Sequence, residues 1–89
     1  MDAGFKTMSD GESGRPRPLD RPGISLVYLS AEHGNLALEP EAQGLAIGDR
    51  IEWIPGYSDT TTFLHDQFLG LRNDRVEAVI PLLARGKLT

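Results

Sequence analysis

Polar and apolar residues alternate along most of this chain, and the alternation reads as a series of short β-strands. "ISLVYLS" is rich in β-branched and aromatic residues. It predicts a strand with Ile24, Leu26 and Tyr28 on one face and Ser25, Val27 and Leu29 on the other. "NLALE" predicts another strand, and "GLAIGDRIEWIP" a turn at Gly48 and Asp49 followed by a strand that Pro55 closes. "QFLGLR" and "VEAVIPLLARG" predict a pair joined by a hairpin turn at Asn73 and Asp74, with Pro81 confining the last strand to an edge or bulge. The weaker alternation of "AGFKTM" predicts a short strand at the start. Residues 9 to 23, "SDGESGRPRPLDRPG", hold glycine and proline too densely for a compact helix or strand and predict a flexible loop. One segment departs from the β pattern. Asp59 followed by "TTTFLHD" offers an N-cap and then a turn or two of helix, kept short because threonine is a poor helix former. The sum is mostly β, a small barrel-like or sandwich domain with one short helix.

Composition narrows the partners. At 89 residues the chain is expected to form one domain, residues 1 to 89. A domain of that size buries only about 60–65% of its unfolded surface, so its core is marginal unless a partner covers part of it. The net charge of −4 argues against a nucleic-acid or anionic-membrane surface, both of which call for a basic patch. Arg15, Arg17 and Arg21 cluster, but prolines and acids dilute them. There is no cysteine, which fits a reducing compartment and leaves no disulfide to supplement the core. No apolar run approaches the roughly 18 residues of a membrane span, and residues 1 to 20 lack a signal-peptide core, so a cytoplasmic location is expected.

The chemistry concentrates in "IPGYSDTTTFLHDQ", residues 54 to 67. Two readings stand side by side. In the first, Asp59 is only a cap, accepting hydrogen bonds from the free N–H groups of Thr61 or Thr62. In the second, Asp59 and a donor two residues before it, Tyr57, mark a divalent-ion site, although a phenol is an uncommon ligand. His65 reads as a structural histidine more than a turn beyond Asp59.

"YLSAEHGNL", "GLAIGDRIEWIPGYSDTTTFLHD" and "ARGKL", in that order, resemble the C-terminal domain of the D-threonine aldolase and D-serine dehydratase-like family of fold-type III pyridoxal-phosphate enzymes. "DAGFKTMS" resembles the first strand of the same domain, which is like the C-terminal domain of alanine racemase-like enzymes. The resemblance covers nearly the whole chain, with residues 9 to 23 as the variable part. It implies an N-terminal α/β barrel, expected to lie outside these residues, that carries the lysine forming a Schiff base with the cofactor. Lys6, in the "DAGFK" segment, is not that lysine.

The resemblance also implies a metal pair, a His and a Cys or Asp two residues apart after the proline that ends a strand. Asp59 matches the second position and Tyr57 occupies the first. A phenol must lose a proton of pKa near 10 to ligate well, which costs more than presenting a neutral imidazole. "EHG" matches at Glu32, His33 and Gly34, near the metal and substrate end of the family's domain. His33 is thereby the candidate catalytic imidazole, the alternative being that it only hydrogen-bonds the loop as Gly34 turns the chain. Arg85 and Lys87 read as a solvated strand end.

The function so implied is that of a domain or fragment of a pyridoxal-phosphate-dependent D-amino-acid lyase, acting by retro-aldol cleavage or dehydration of a D-3-hydroxy amino acid. A divalent ion (Mn, Zn or Mg) would act there as a Lewis acid on the substrate hydroxyl. The chain's partner would be the barrel or a second subunit across a dimer interface, and the chain alone is expected to be inactive. Two other classes stay open: a non-catalytic β interaction domain that completes a partner protein, and a product with no activity of its own.

Overall fold

The computed structural model describes residues 1–11 and 14–87. The order of elements is β1 (Arg17–Pro18), β2 (Ile24–Leu29), β3 (Gly34–Leu38), a 3-10 turn (Pro40–Ala42), β4 (Trp53–Ile54), α1 (Ser58–Thr62), β5 (Gln67–Arg72) and β6 (Arg75–Pro81). The fold is mostly β with one short helix, as the alternation predicts. The strands pair antiparallel in three two-stranded sheets: β1 with β4, β2 with β3, and β5 with β6.

The core is small. Met8, Ile24, Leu26 and Leu29 are its buried side chains, and Met1, Ala3, Leu36 and Trp53 pack against the cluster of Met8, Leu26 and Leu29. Strict alternation along β2 would bury Tyr28 and expose Leu29, yet Leu29 is buried and Tyr28 is half exposed. The cause is a bulge. The register with β3 shifts between Leu26 and Tyr28, and one extra residue turns the following side chains to the opposite face.

Two other expectations are corrected. "AGFKTM" makes no strand; residues 5 to 7 form a turn in which Thr7 N and Met8 N both donate to Gly4 O (2.9 and 3.1 Å). The segment instead docks on the β2–β3 turn, with Phe5 N donating to Ser30 O (2.9 Å) and Lys6 N to Ala31 O (3.0 Å). Only glycine fits at position 4, because a Cβ there would sit 2.6 Å from Glu32 N and still closer to Ser30 O. The turn then delivers Met8 into the core.

The proline-rich stretch is not wholly loop, since Arg17–Pro18 form β1 against Ile54 and Trp53 and Leu19 N donates to Glu52 O (2.8 Å). Two of the three clustered arginines are engaged within the chain. Arg15 spans Asp10 with two 2.9 Å bonds and donates to Val27 O (2.9 Å), while Arg21 donates to Arg50 O (3.2 Å).

The hydrogen bonds from Arg15, aided by its charge, hold the Asp10 carboxyl below the ordinary value of 3.8. A carboxylate with a depressed folded-state pKa adds stability above its unfolded pKa and loses it as pH falls through the folded one. The Asp10→Asn chain should therefore lose less stability than the wild type between about pH 5 and pH 2. Urea melts across that window check it, and parallel acid limbs would contradict the assignment.

β5 and β6 form a hairpin of another character. Asn73 (φ 50°) and Asp74 (φ 59°) supply the two left-handed residues of a tight hairpin turn. Every residue of β6 is exposed, and only Gly70 of β5 is partly covered. Phe68 and Ile80 pair on one face while Leu69 and Val79 pair on the other, so both faces are apolar and open to solvent. The radius of gyration, 14.5 Å, exceeds the roughly 12 Å of a compact chain this long. Among the described residues no helix is long and apolar enough to cross a membrane.

Candidate functional site

Pro55 and Gly56 end the β4 segment, and the chain turns directly into α1. The N-cap position is Tyr57, in extended conformation, with no side-chain cap bond. Asp59 lies inside the first turn, so the capping role is corrected. Its carboxylate instead receives the Tyr57 hydroxyl at Oδ2 (2.9 Å) and the Ser58 hydroxyl at Oδ1 (3.2 Å). The hydrogen bond to Asp59 and the negative charge of that carboxylate raise the Tyr57 phenol above its ordinary value of 10.0.

Threonines hold this helix despite their low propensity. Thr61 donates to Tyr57 O (2.8 Å) and Thr62 to Ser58 O (2.7 Å), each bonding back one turn. The N-terminal segment adds tertiary ties: Ser9 N donates to Thr61 Oγ1 (3.2 Å), and His65 Nε2–H donates to Thr7 O (2.7 Å). His65 is thus engaged in structure. The same segment reaches the β2–β3 turn, where Lys6 pairs with Glu32 (2.6 Å).

His33 closes that turn. Its carbonyl accepts from Ser30 N (2.8 Å) and Ser30 Oγ (3.1 Å), and its own N–H donates to Ser30 Oγ (3.3 Å). The residue is exposed, and its imidazole has no hydrogen-bond partner among the described residues. The structure therefore joins Tyr57 and Asp59 directly, and residues 4 to 9 tie their helix to the His33 turn. Pattern reading missed that link, because "GFKTMS" reads as a strand and its partners lie up to 58 positions away.

A cleft of about 490 Å³ lies beside Asp59, lined also by Thr62, Phe63, Leu82 and Arg85. Arg85 is exposed, but it lies in the turn after β6 and not on a strand. It donates to Phe63 O (2.8 Å) and pairs with Asp66, closing the turn after β6 onto the end of α1. A larger hollow of about 640 Å³ sits by Met1, Leu36, Ile47 and Trp53 and includes none of the residues of interest.

The donors present do not fit the implied metal. Lys6 is exposed and bonded to Glu32. At Asp59 both carboxylate oxygens already accept hydroxyl protons, and among the described residues no group of three or more His, Cys, Asp or Glu is placed to hold a metal.

Comparison with known proteins decides the family. The family described as "Putative serine dehydratase domain" matches residues 1–71. The chain belongs to that family. The serine dehydratase-like match extends to characterised relatives: 3-hydroxy-D-aspartate aldolase of Paracoccus denitrificans is 38% identical over 87 residues, 98% of this chain and 22% of that protein. D-threonine aldolase of Arthrobacter sp is 34% identical over 86 residues, 97% of this chain and 22% of that protein. The crystal structure of D-threonine aldolase from Filomicrobium marinum superposes with a TM-score of 0.85 at 37% identity, over 99% of this chain and 24% of that one. The likeness is to the C-terminal region of that aldolase. The chain thus spans less than a quarter of the length of these relatives.

Proposed function

We propose that residues 1 to 89 are the C-terminal domain of a pyridoxal-phosphate-dependent lyase that cleaves or dehydrates a D-3-hydroxy amino acid. The observation that carries the reading is the 38% identity to 3-hydroxy-D-aspartate aldolase over 98% of the chain. The cofactor supplies electron withdrawal when bound. The residues of this chain do not hold it, and in this reading that task belongs to a preceding α/β barrel. What this chain contributes is one wall of the site, from α1 and the β2–β3 turn, with exposed His33 as the group that moves a proton on the substrate side. A partner-facing role is assigned to the β5–β6 hairpin, whose two open apolar faces suit the barrel or a second subunit.

Two measurements test the reading. The chain alone, given pyridoxal phosphate and then borohydride, should show no covalent adduct by mass spectrometry and should not cleave D-threonine; a stoichiometric adduct on one lysine would overturn it. Joined to the barrel of the Filomicrobium marinum aldolase, and carrying Tyr57→His to supply the implied imidazole, it should bind cofactor and act on D-3-hydroxy amino acids. A folded, cofactor-loaded chimera with no activity on any of them contradicts the lyase assignment.

A further inference from the structure

We infer that the Tyr57–Asp59 pair, closed by its own hydrogen bond, does not accept divalent ions, so that a hydrogen-bonded pair stands where the resemblance places a metal site. The inference rests on reading residues 54 to 66 as that position. Three features of the geometry support it. The Tyr57 hydroxyl donates to Asp59 Oδ2 (2.9 Å), so an ion that bridges the phenol and that oxygen must displace this hydrogen bond. The other carboxylate oxygen accepts from Ser58 (3.2 Å), which leaves neither oxygen idle. His65 is tied to the N-terminal segment, its Nε2–H donating to Thr7 O at 2.7 Å.

The exchange of imidazole for phenol changes the proton competition by orders of magnitude. At neutral pH an ordinary imidazole is mostly the free base, whereas only about one phenol in a thousand is ionised. An ion binding through Tyr57 must therefore take the rare form, while Asp59 alone is a single exposed carboxylate and a weak ligand. A substrate hydroxyl brought to this position would meet a phenol and a carboxylate, and would be held by hydrogen bonds instead of by a Lewis acid.

The test is titration of Mn²⁺ and of Zn²⁺ into the 89-residue chain by calorimetry at neutral pH, with near-ultraviolet difference spectra to detect tyrosinate. The wild type and Tyr57→Phe should show the same weak, non-saturating response and no tyrosinate signal. Tyr57→His should bind with affinity raised about tenfold or more, and adding Asp59→Ala should remove the gain. Saturable wild-type binding accompanied by tyrosinate absorbance would overturn the inference while leaving the lyase proposal to its chimera test. A folded Tyr57→His chain that binds no better than the wild type would overturn it too, since the phenol would then not be what closes the site. The wild-type titration decides the matter alone if the variant fails to fold.

Discussion

Leu26→Ala is expected to destabilise the chain by about 2–5 kcal/mol, the usual cost of emptying a buried leucine site. Leu26 is 7% exposed, packs against Met8 and Leu29, and faces Leu36 across the β2–β3 ladder. With four buried apolar core side chains among the described residues, little neighbouring material exists to collapse into the cavity. A loss of this size is a large share of the roughly 5–15 kcal/mol that holds an ordinary domain folded, and a domain this small sits toward the low end. Val27→Ala, one position away but half exposed at the bulge, should cost far less, since substitutions away from buried features usually fall within about 0.5 kcal/mol. Thermal melts by circular dichroism compare the two. Equal losses would mean that β2 does not present Leu26 to a core.

The isolated chain is expected to self-associate. Its accessible surface is 6837 Å², against about 5,100 Å² for a compact monomer of its mass. The excess, on the order of 1,700 Å², is larger than the roughly 800 Å² that each partner contributes to a standard interface. The apolar share is concentrated on β5 and β6, where Phe68, Leu69, Leu71, Val76, Val79 and Ile80 are all at least 43% exposed. A two-stranded hairpin with nothing packed on it is marginal in water, and its free edges invite another strand. Sedimentation across a concentration series should show mass rising with concentration, together with binding of an apolar-surface dye. Leu69→Lys with Val79→Lys, a facing pair, should reduce both. A stable monomer at every concentration, without dye binding, would contradict the interface assigned to this hairpin.

Much of this fold was legible because strands with one buried face announce themselves by alternation, and β-turns by their residues. The segments around Ile24–Leu29, Gly34–Leu38 and the Asn73–Asp74 turn fall where the pattern puts them. The bulge at Val27 was not legible, since an extra residue leaves no trace in composition while inverting the faces of Tyr28 and Leu29. The N-terminal segment departs from its alternation for a related reason: its conformation is imposed by Ser30 and Ala31, far along the chain, on a glycine that local pattern cannot distinguish from any other. At the candidate site the sequence brought Tyr57 and Asp59 to notice by spacing and resemblance. It could not tell a cap from a side-chain pair, because the two differ by a two-residue shift of the helix start, and the N-cap falls at Tyr57. Arg85 was read from its place near the chain end, and only the folded turn reveals its bond to Phe63 O.

The two longer ladders join residues close in sequence, Ile24 with Leu38 and Gln67 with Pro81 at their widest, whereas the β1–β4 ladder joins Arg17 with Ile54. Closing a short loop costs little entropy and takes microseconds, so each hairpin can zip without waiting for the other. The long stitch between β1 and β4, only two residues wide, comes afterwards and holds weakly. Amide exchange in such a chain proceeds by parts: β2–β3 opens with the core, while β5–β6, tied to the rest of the chain by Arg85 and by the Arg50–Asp74 pair, opens on its own schedule until something covers it.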